Sequence, residues 1–182
     1  MKIRVEGIRK VEKEGSRLLG VVDVILNEIF VIEDIKIILG PSGRFIAMPS
    51  KKINDTFIDL AFPINIETRD ELTNAVLSAF DGKGSIYGEI DVTVITNLNV
   101  KSTSNATGVV ANIKFEINNR FLFTNIFMVK ELTEDGSGRF KFLYPTREDG
   151  EGNRRNIYYS INREFTDKLF KTIFDKYKEG LN

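Results

Sequence analysis

The sequence predicts an α+β fold made of two copies of one small unit, each a mainly antiparallel sheet of four or five strands followed by a C-terminal helix. Three observations predict it: a set of residues that recurs in one order along the chain, short apolar runs bounded by Gly, Pro and Asn, and one amphipathic helical stripe ending each half. Gly20-Val21-Val22 with Ile25 recurs as Gly108-Val109-Val110 with Ile113, and Phe30 with Ile35 recurs as Phe121 with Ile126. Gly43-Arg44-Phe45 followed by Pro49 recurs as Gly138-Arg139-Phe140 followed by Pro145. Ile64-Asn65, Glu67, Asp70 and Leu72 recur as Ile161-Asn162, Glu164, Asp167 and Leu169. Matches in one order, separated by small insertions only, are hard to obtain from composition, so we read a tandem duplication over residues 1–84 and 85–182.

In the first copy, Ile3, Val5, Ile8 and Val11 lie in a charged background and residues 18–26 are rich in Val, Ile and Leu, so both segments predict strands. Residues 29–39 carry Ile35, Ile37 and Leu39, which suits a sheet with one face on a core. Gly40-Pro-Ser-Gly43 turns the chain into a strand over Arg44–Met48. Lys51–Thr56 reads as a loop, and Phe57–Phe62 as a short strand closing at Pro63. Thr68 followed by Glu71 matches a capping box and predicts the helix start; Leu72, Ala75, Val76, Ala79 and Phe80 then form one stripe. The second copy repeats the stripe with Leu169, Phe170, Ile173, Phe174 and Tyr177. Asp81-Gly-Lys-Gly-Ser85 reads as a flexible connection between copies. Its glycines, with Gly88, lack the spacing and strand–turn–helix context of a phosphate-binding loop.

A unit of this size buries a modest share of its surface, and one helix cannot cover both sheet faces. Pairing with the other copy would cover exposed strand edges, and tethering sets an effective concentration on the order of millimolar. The chain is therefore expected to fold as a pseudo-two-fold intramolecular dimer, a monomeric chain to which higher association remains open.

Apolar residues make up 42% of the 182 residues and include 14 Phe, enough for a packed core. Cysteine and histidine are both absent, which removes disulfides, thiolate nucleophiles, Cys-based metal sites and the commonest general base. No enzyme, metal or cofactor is expected. Paired carboxylates at Glu33-Asp34, and at Asp149 and Glu151, read as surface charge because no EF-hand spacing accompanies them. The N-terminus, MKIRVEGIRK, alternates charged and apolar residues, and no apolar run approaches the roughly 20 residues that span a bilayer. A cytoplasmic, bacterial-type protein without membrane partners is expected. Asn54-Asp-Thr56 and Asn105-Ala-Thr107 match the glycosylation sequon by chance.

Asp34-Ile-Lys-Ile-Ile38, Gly43-Arg-Phe-Ile-Ala-Met-Pro-Ser-Lys-Lys52, Phe57-Ile-Asp-Leu-Ala-Phe-Pro-Ile-Asn65 and Thr68-Arg-Asp70 together resemble the core signature of the SpoVG family of sporulation and septation proteins. The similarity covers nearly all of the first copy; the second keeps Tyr144-Pro145-Thr146-Arg147 where the first has Met48-Pro49-Ser50-Lys51. The resemblance implies a small dimeric bacterial regulator, linked to sporulation, septation and virulence control, that binds DNA and in some cases RNA. Carried over by position, the basic pair after Pro-Ser becomes Lys51 and Lys52, and its counterpart is Arg147 with Glu148, a charge reversal. The usual His before the second Pro is Phe62 here, and the second copy has Tyr159 with Ser160 in place of the Pro.

Nucleic-acid binding needs a positive footprint, yet 26 basic residues balance 26 acidic ones and each half lies within one charge of neutral. Local clusters carry the candidate site: Arg44, Lys51 and Lys52 in the first copy; Arg139, Lys141, Arg147, Arg154 and Arg155 in the second; and Lys168, Lys171 and Lys178 along the last helix. The second copy's loop and helix are expected to dominate binding. Its loop, residues 147–155, mixes signs and reads equally as a solvated hairpin. Phe121, Phe123, Tyr158 and Tyr159 could stack on bases, but strand spacing favours a place in the core. The alternative to a nucleic-acid-binding regulator is an interaction or scaffold module of the same fold.

Overall fold

The computed structural model describes residues 1–103, 108–133 and 138–180; the sequon at Asn105 lies outside them. The first copy runs β1 (Ile3–Lys10), β2 (Leu18–Leu26), β3 (Phe30–Gly40), β4 (Gly43–Ala47), β5 (Ser50–Ile53), β6 (Thr56–Asp59), β7 (Ala61–Pro63) and α1 (Ile66–Phe80). After β8 (Ile86–Tyr87) the second copy repeats the order: β9 (Ile95–Ser102), β10 (Val109–Ile117), β11 (Phe121–Leu132), β12 (Gly138–Leu143), β13 (Thr146–Glu148), β14 (Arg154–Asn156), β15 (Tyr158–Ser160) and α2 (Arg163–Glu179). The α+β class and the repeated sheet unit match expectation.

Alternation sets the faces. In β2, Val22, Val24 and Leu26 turn inward, and in β10 Ala111, Ile113, Phe115 and Ile117 do the same. The hairpins that follow turn on residue pairs in left-handed backbone, Asn27-Glu28 (φ 48° and 57°) and Asn118-Asn119 (φ 51° and 52°). Such turns match the twist of the flanking strands, and Asn tolerates the conformation better than most side chains.

The first copy's sheet runs β15-β3-β2-β1-β8 with β4 also on β3; the second copy's runs β12-β11-β10-β9 with β7 also on β11. Each sheet thus borrows its counterpart's last strand. The exchange is reciprocal residue by residue: Ala61, Phe62 and Pro63 pair with Phe123, Leu122 and Phe121, while Tyr158, Tyr159 and Ser160 pair with Ile32, Val31 and Phe30. Flanking backbone bonds follow suit. The Ile64 N–H donates to the Arg120 carbonyl and the Ile161 N–H to Ile29; the Thr124 N–H donates to Leu60 and the Glu33 N–H to Ile157.

One apolar core runs through both halves. Phe30 stacks on Phe123 at 4.6 Å, Phe123 on Phe115 at 5.1 Å, and Phe165 of α2 meets Phe30 edge-on at 5.3 Å. Tyr158 packs 5.1 Å from Phe123 and donates its hydroxyl to the Thr124 carbonyl at 2.5 Å. Phe121, Phe123 and Tyr158 are therefore core side chains, and Tyr159 is half-buried, where its hydroxyl is held protonated by partial burial and by Glu33.

Three local expectations are corrected. The first helix does not start at Thr68: Asn65 is the N-cap, its Oδ1 accepting from the Thr68 N–H at 2.8 Å, and Asn162 caps α2 in the same way through Phe165. Thr68 and Glu71 instead accept from the Arg120 guanidinium at 3.0 and 2.7 Å, so they tie α1 to the second copy. Lys51–Thr56 is not a plain loop; it holds β5, a tight turn with Asn54 at φ 55°, and the start of β6. The predicted strand over Phe57–Phe62 divides at Leu60, which is buried.

The connection between copies runs through two left-handed glycines into a short strand on the first sheet. Its glycines adopt φ of 76° (Gly82) and 132° (Gly84), which only glycine accepts readily, and β8 then pairs with the edge of β1. Farther on, Asn27 donates to the Thr93 hydroxyl at 3.0 Å, while Asn118 donates to the Val92 carbonyl and accepts from the Val94 N–H. The two turn asparagines thereby hold residues 91–94 between the copies.

Candidate nucleic-acid interface

The basic residues singled out from the sequence fall into three environments. Lys51 and Lys52 stand on the β5–β6 hairpin, all eight strand residues of which are exposed. Lys51 lies opposite Ile58 and Lys52 opposite Phe57; Lys52 also reaches Asp55 at 3.4 Å, across a fully solvated pair. Phe57 is 69% exposed, which sequence reading passed over because it was assigned to an ordinary strand.

A second set is engaged inside the protein. Arg44 of β4 makes a two-pronged bond to Asp81 at 2.6 and 2.8 Å, clamping β4 to the end of α1. That guanidinium holds the Asp81 carboxyl below its ordinary range. Arg155 donates to Asp149 at 2.9 Å, and Asp149 also accepts from the Glu151 and Asn153 backbone N–H groups, so the second hairpin's loop folds on its own carboxylate.

Arg147 crosses from the second copy's hairpin to the first copy's sheet. Its guanidinium meets Glu33 at 3.2 Å and Asp34 at 2.6 Å; Arg9 meets Asp34 at 2.5 Å and Asp23 at 2.9 Å, and Asp23 accepts from the Asp34 N–H at 2.9 Å. Asp34 sits at φ 55°, in a bulge that turns its carboxylate toward both arginines. The Glu33 carboxyl is raised by burial first and by Asp23 second, with Arg147 opposing both. In this network Glu33 is held by Arg147, and Asp34 is held by Arg147 and Arg9 together. Among the described residues no cluster of acidic side chains is arranged to hold a metal.

The third set is solvated. Arg154 faces Glu148 across the β13–β14 ladder, and Arg139 faces Glu131 across β11–β12. Lys171 is exposed on α2, while Lys168 lines a groove between α2 and Thr93–Leu98. Lys178 lies 4.2 Å above the Phe174 ring, and Lys176 donates to the Leu98 carbonyl.

Arg147→Ala is expected to lower unfolding free energy at neutral pH by about 1–3 kcal/mol, since two partly buried carboxylates lose their shared cation. A group whose carboxyl is raised in the folded state favours folding below its ordinary value of 4.5 and loses that advantage as pH rises. The penalty in Arg147→Ala should therefore shrink as pH falls from neutral into the acid range in which Glu33, with its raised carboxyl, takes up a proton. Urea unfolding at neutral pH and in that acid range checks both statements.

Comparison with known proteins follows the same division. The SpoVG family model matches residues 1–82. A SpoVG protein of Agathobacter rectalis is 49% identical over 74 residues, 40% of this chain and 84% of the relative. One of Lachnospira eligens is 47% identical over 75 residues, 41% of this chain and 84% of the relative. One of Staphylococcus aureus strain JH9 is 38% identical over 94 residues, 51% and 93% of the two chains.

Proposed function

The chain belongs to the SpoVG family, and on that premise we propose that it is a nucleic-acid-binding regulatory protein, acting on DNA or RNA in septation, the process for which its relatives are named, or in sporulation. The observation that carries this reading is the β5–β6 hairpin, where Lys51, Lys52 and Phe57 stand together in solvent. Lysines there neutralise phosphates and release counterions, and an exposed ring offers a stacking surface to an unpaired base. The reciprocal strand exchange fits a chain in which a gene fusion has turned contact between identical subunits into contact within one polypeptide.

Lys51→Ala combined with Lys52→Ala is expected to reduce the slope of log affinity against log salt by about one to two, measured by anisotropy on a mixed-sequence oligonucleotide. An unchanged slope would place the site elsewhere.

A second reading, a scaffold of the same fold, draws support from zero net charge and from the engagement of Arg44, Arg147 and Arg155 by carboxylates. Absence of binding at low salt would select it.

A further inference from the structure

The two sheets present outer faces that are equivalent in position and opposite in electrostatic character. The β2–β3 and β10–β11 hairpins share one register, so each outward residue of one has a counterpart in the other, while β1 and β9 bulge at different points. Asp23, the unpaired residue in the β2–β3 bulge, corresponds to Lys114 in the bulge of β10–β11. Glu33 and Asp34 correspond to Thr124 and Asn125, the latter again left-handed at φ 68°. Arg9, opposite Val21, corresponds to Lys101, opposite Asn112. Arg147 of the hairpin corresponds to Lys51.

The consequences differ. On the first face two arginines and three carboxylates satisfy one another, and a phosphate would have to break those pairs to enter. On the second face the three acids of that network are replaced by Lys114, Thr124 and Asn125. Lys101 and Lys114 are exposed and ion-paired to no carboxylate among the described residues, and Lys101 lines an open groove with Ser102, Asn112 and Phe127. Glu116 and Glu131 are acids on this face; Glu116 is engaged by the Asn97 amide at 3.1 Å, and Glu131 pairs with Lys141 at 3.6 Å at the far end of β11. The exposed hairpin is rooted beside the same surface, since the Thr124 hydroxyl donates to the Asp59 carbonyl at 3.2 Å.

We propose that the chain carries one nucleic-acid-binding face, the outer surface of the second copy's sheet from Lys51 through Lys114 to Lys101, and that the Arg147 network closes its counterpart on the first copy's sheet. This rests on the nucleic-acid reading and locates it. Nucleic acid would lie across β11, β10 and β9 with its phosphates over the two lysines, and each chain would bind one segment.

The test uses the full chain with labelled mixed-sequence oligonucleotide, single-stranded and duplex, in anisotropy titrations at low salt and in stoichiometric titrations at saturation. Lys101→Glu with Lys114→Glu is expected to weaken binding at least about tenfold and to lower the salt slope by about two. Lys13→Glu with Arg69→Glu, both exposed on the first copy and off this face, should leave both within about twofold. Each lysine is exposed, so an unfolding midpoint equal to that of the parent chain verifies the fold, and Lys101→Gln with Lys114→Gln provides a milder variant whose loss should be smaller in the same direction. Stoichiometry should be one segment per chain. Binding by the parent that is insensitive to Lys101 and Lys114, or two segments per chain, would overturn this inference and leave the broader reading intact. A parent chain that binds no oligonucleotide overturns both.

Discussion

Phe123→Ala is expected to remove about 3–5 kcal/mol of folding free energy, the range for truncating a large aromatic ring in a packed core. Phe123 is fully buried and meets four other rings: Phe121 beside it in β11, and Phe30 from β3, Phe115 from β10 and Tyr158 from β15. Truncation would open a void between the two copies, and the rings around it are held by strands exchanged in both directions, so the surroundings can collapse only slightly. Because the core is continuous, the loss should appear in both halves as one transition. Urea unfolding followed by far-ultraviolet circular dichroism and by tyrosine fluorescence would give coincident curves shifted together. Two separate transitions would mean that the copies fold as independent units joined at a seam.

How much of this was legible in the sequence depends on the range of the interaction. Strand faces in β2, β3 and β10 follow from alternation among neighbours, and the duplication follows from matches such as Phe30 with Phe121 that need no knowledge of contacts. The caps were legible too, since Asn65 and Asn162 belong to the repeated Ile-Asn pair. The capping-box pattern of Thr68 and Glu71 drew the start away from them, because only the fold reveals that Arg120 claims both side chains. The β5–β6 hairpin was missed for a local reason: Ser50-Lys-Lys-Ile53 has no apolar face to alternate, as expected of a ladder that buries nothing, whereas residues 147–155 were readable as a solvated hairpin.

The candidate site was legible as composition and illegible as electrostatics. Arg44 and Asp81 lie 37 residues apart, and Arg147 reaches Glu33 over 114, so sequence proximity could not tell engaged arginines from available lysines. A signal did exist. The Phe30 and Phe121 match sets Asp34 against Asn125 in the sequence, but the Gly20-Val21-Val22 match sets Asp23 against Ala111; the strand register places the two copies three residues apart from that match and makes Lys114 the counterpart of Asp23.

Residues 1–84, expressed alone, are expected to form a homodimer. In the full chain β7 is seated on β11 and β3 receives β15, so the isolated first copy has one strand without a seat and one seat without a strand. The registers are reciprocal, with Pro63 opposite Phe121 and Ser160 opposite Phe30, and Phe30 is the counterpart of Phe121. A second copy of residues 1–84 can therefore accept Ala61–Pro63 along Phe30–Ile32 and return the same strand, closing an isologous contact that gives β7 a seat and covers the edge of β3. Such a dimer would lack the aromatic stack, because Phe123 and Tyr158 are replaced at the equivalent positions by Ile32 and Ala61. It also loses the tether that holds the two copies at an effective concentration on the order of millimolar, so its assembly must depend on concentration. Light scattering should give twice the fragment mass at high concentration and a shift toward monomer with loss of sheet signal on dilution. A fragment that stays monomeric with its sheet intact at every concentration would show that the first copy needs no exchanged strand, and the account of the fold given by the reciprocal pairing would fail.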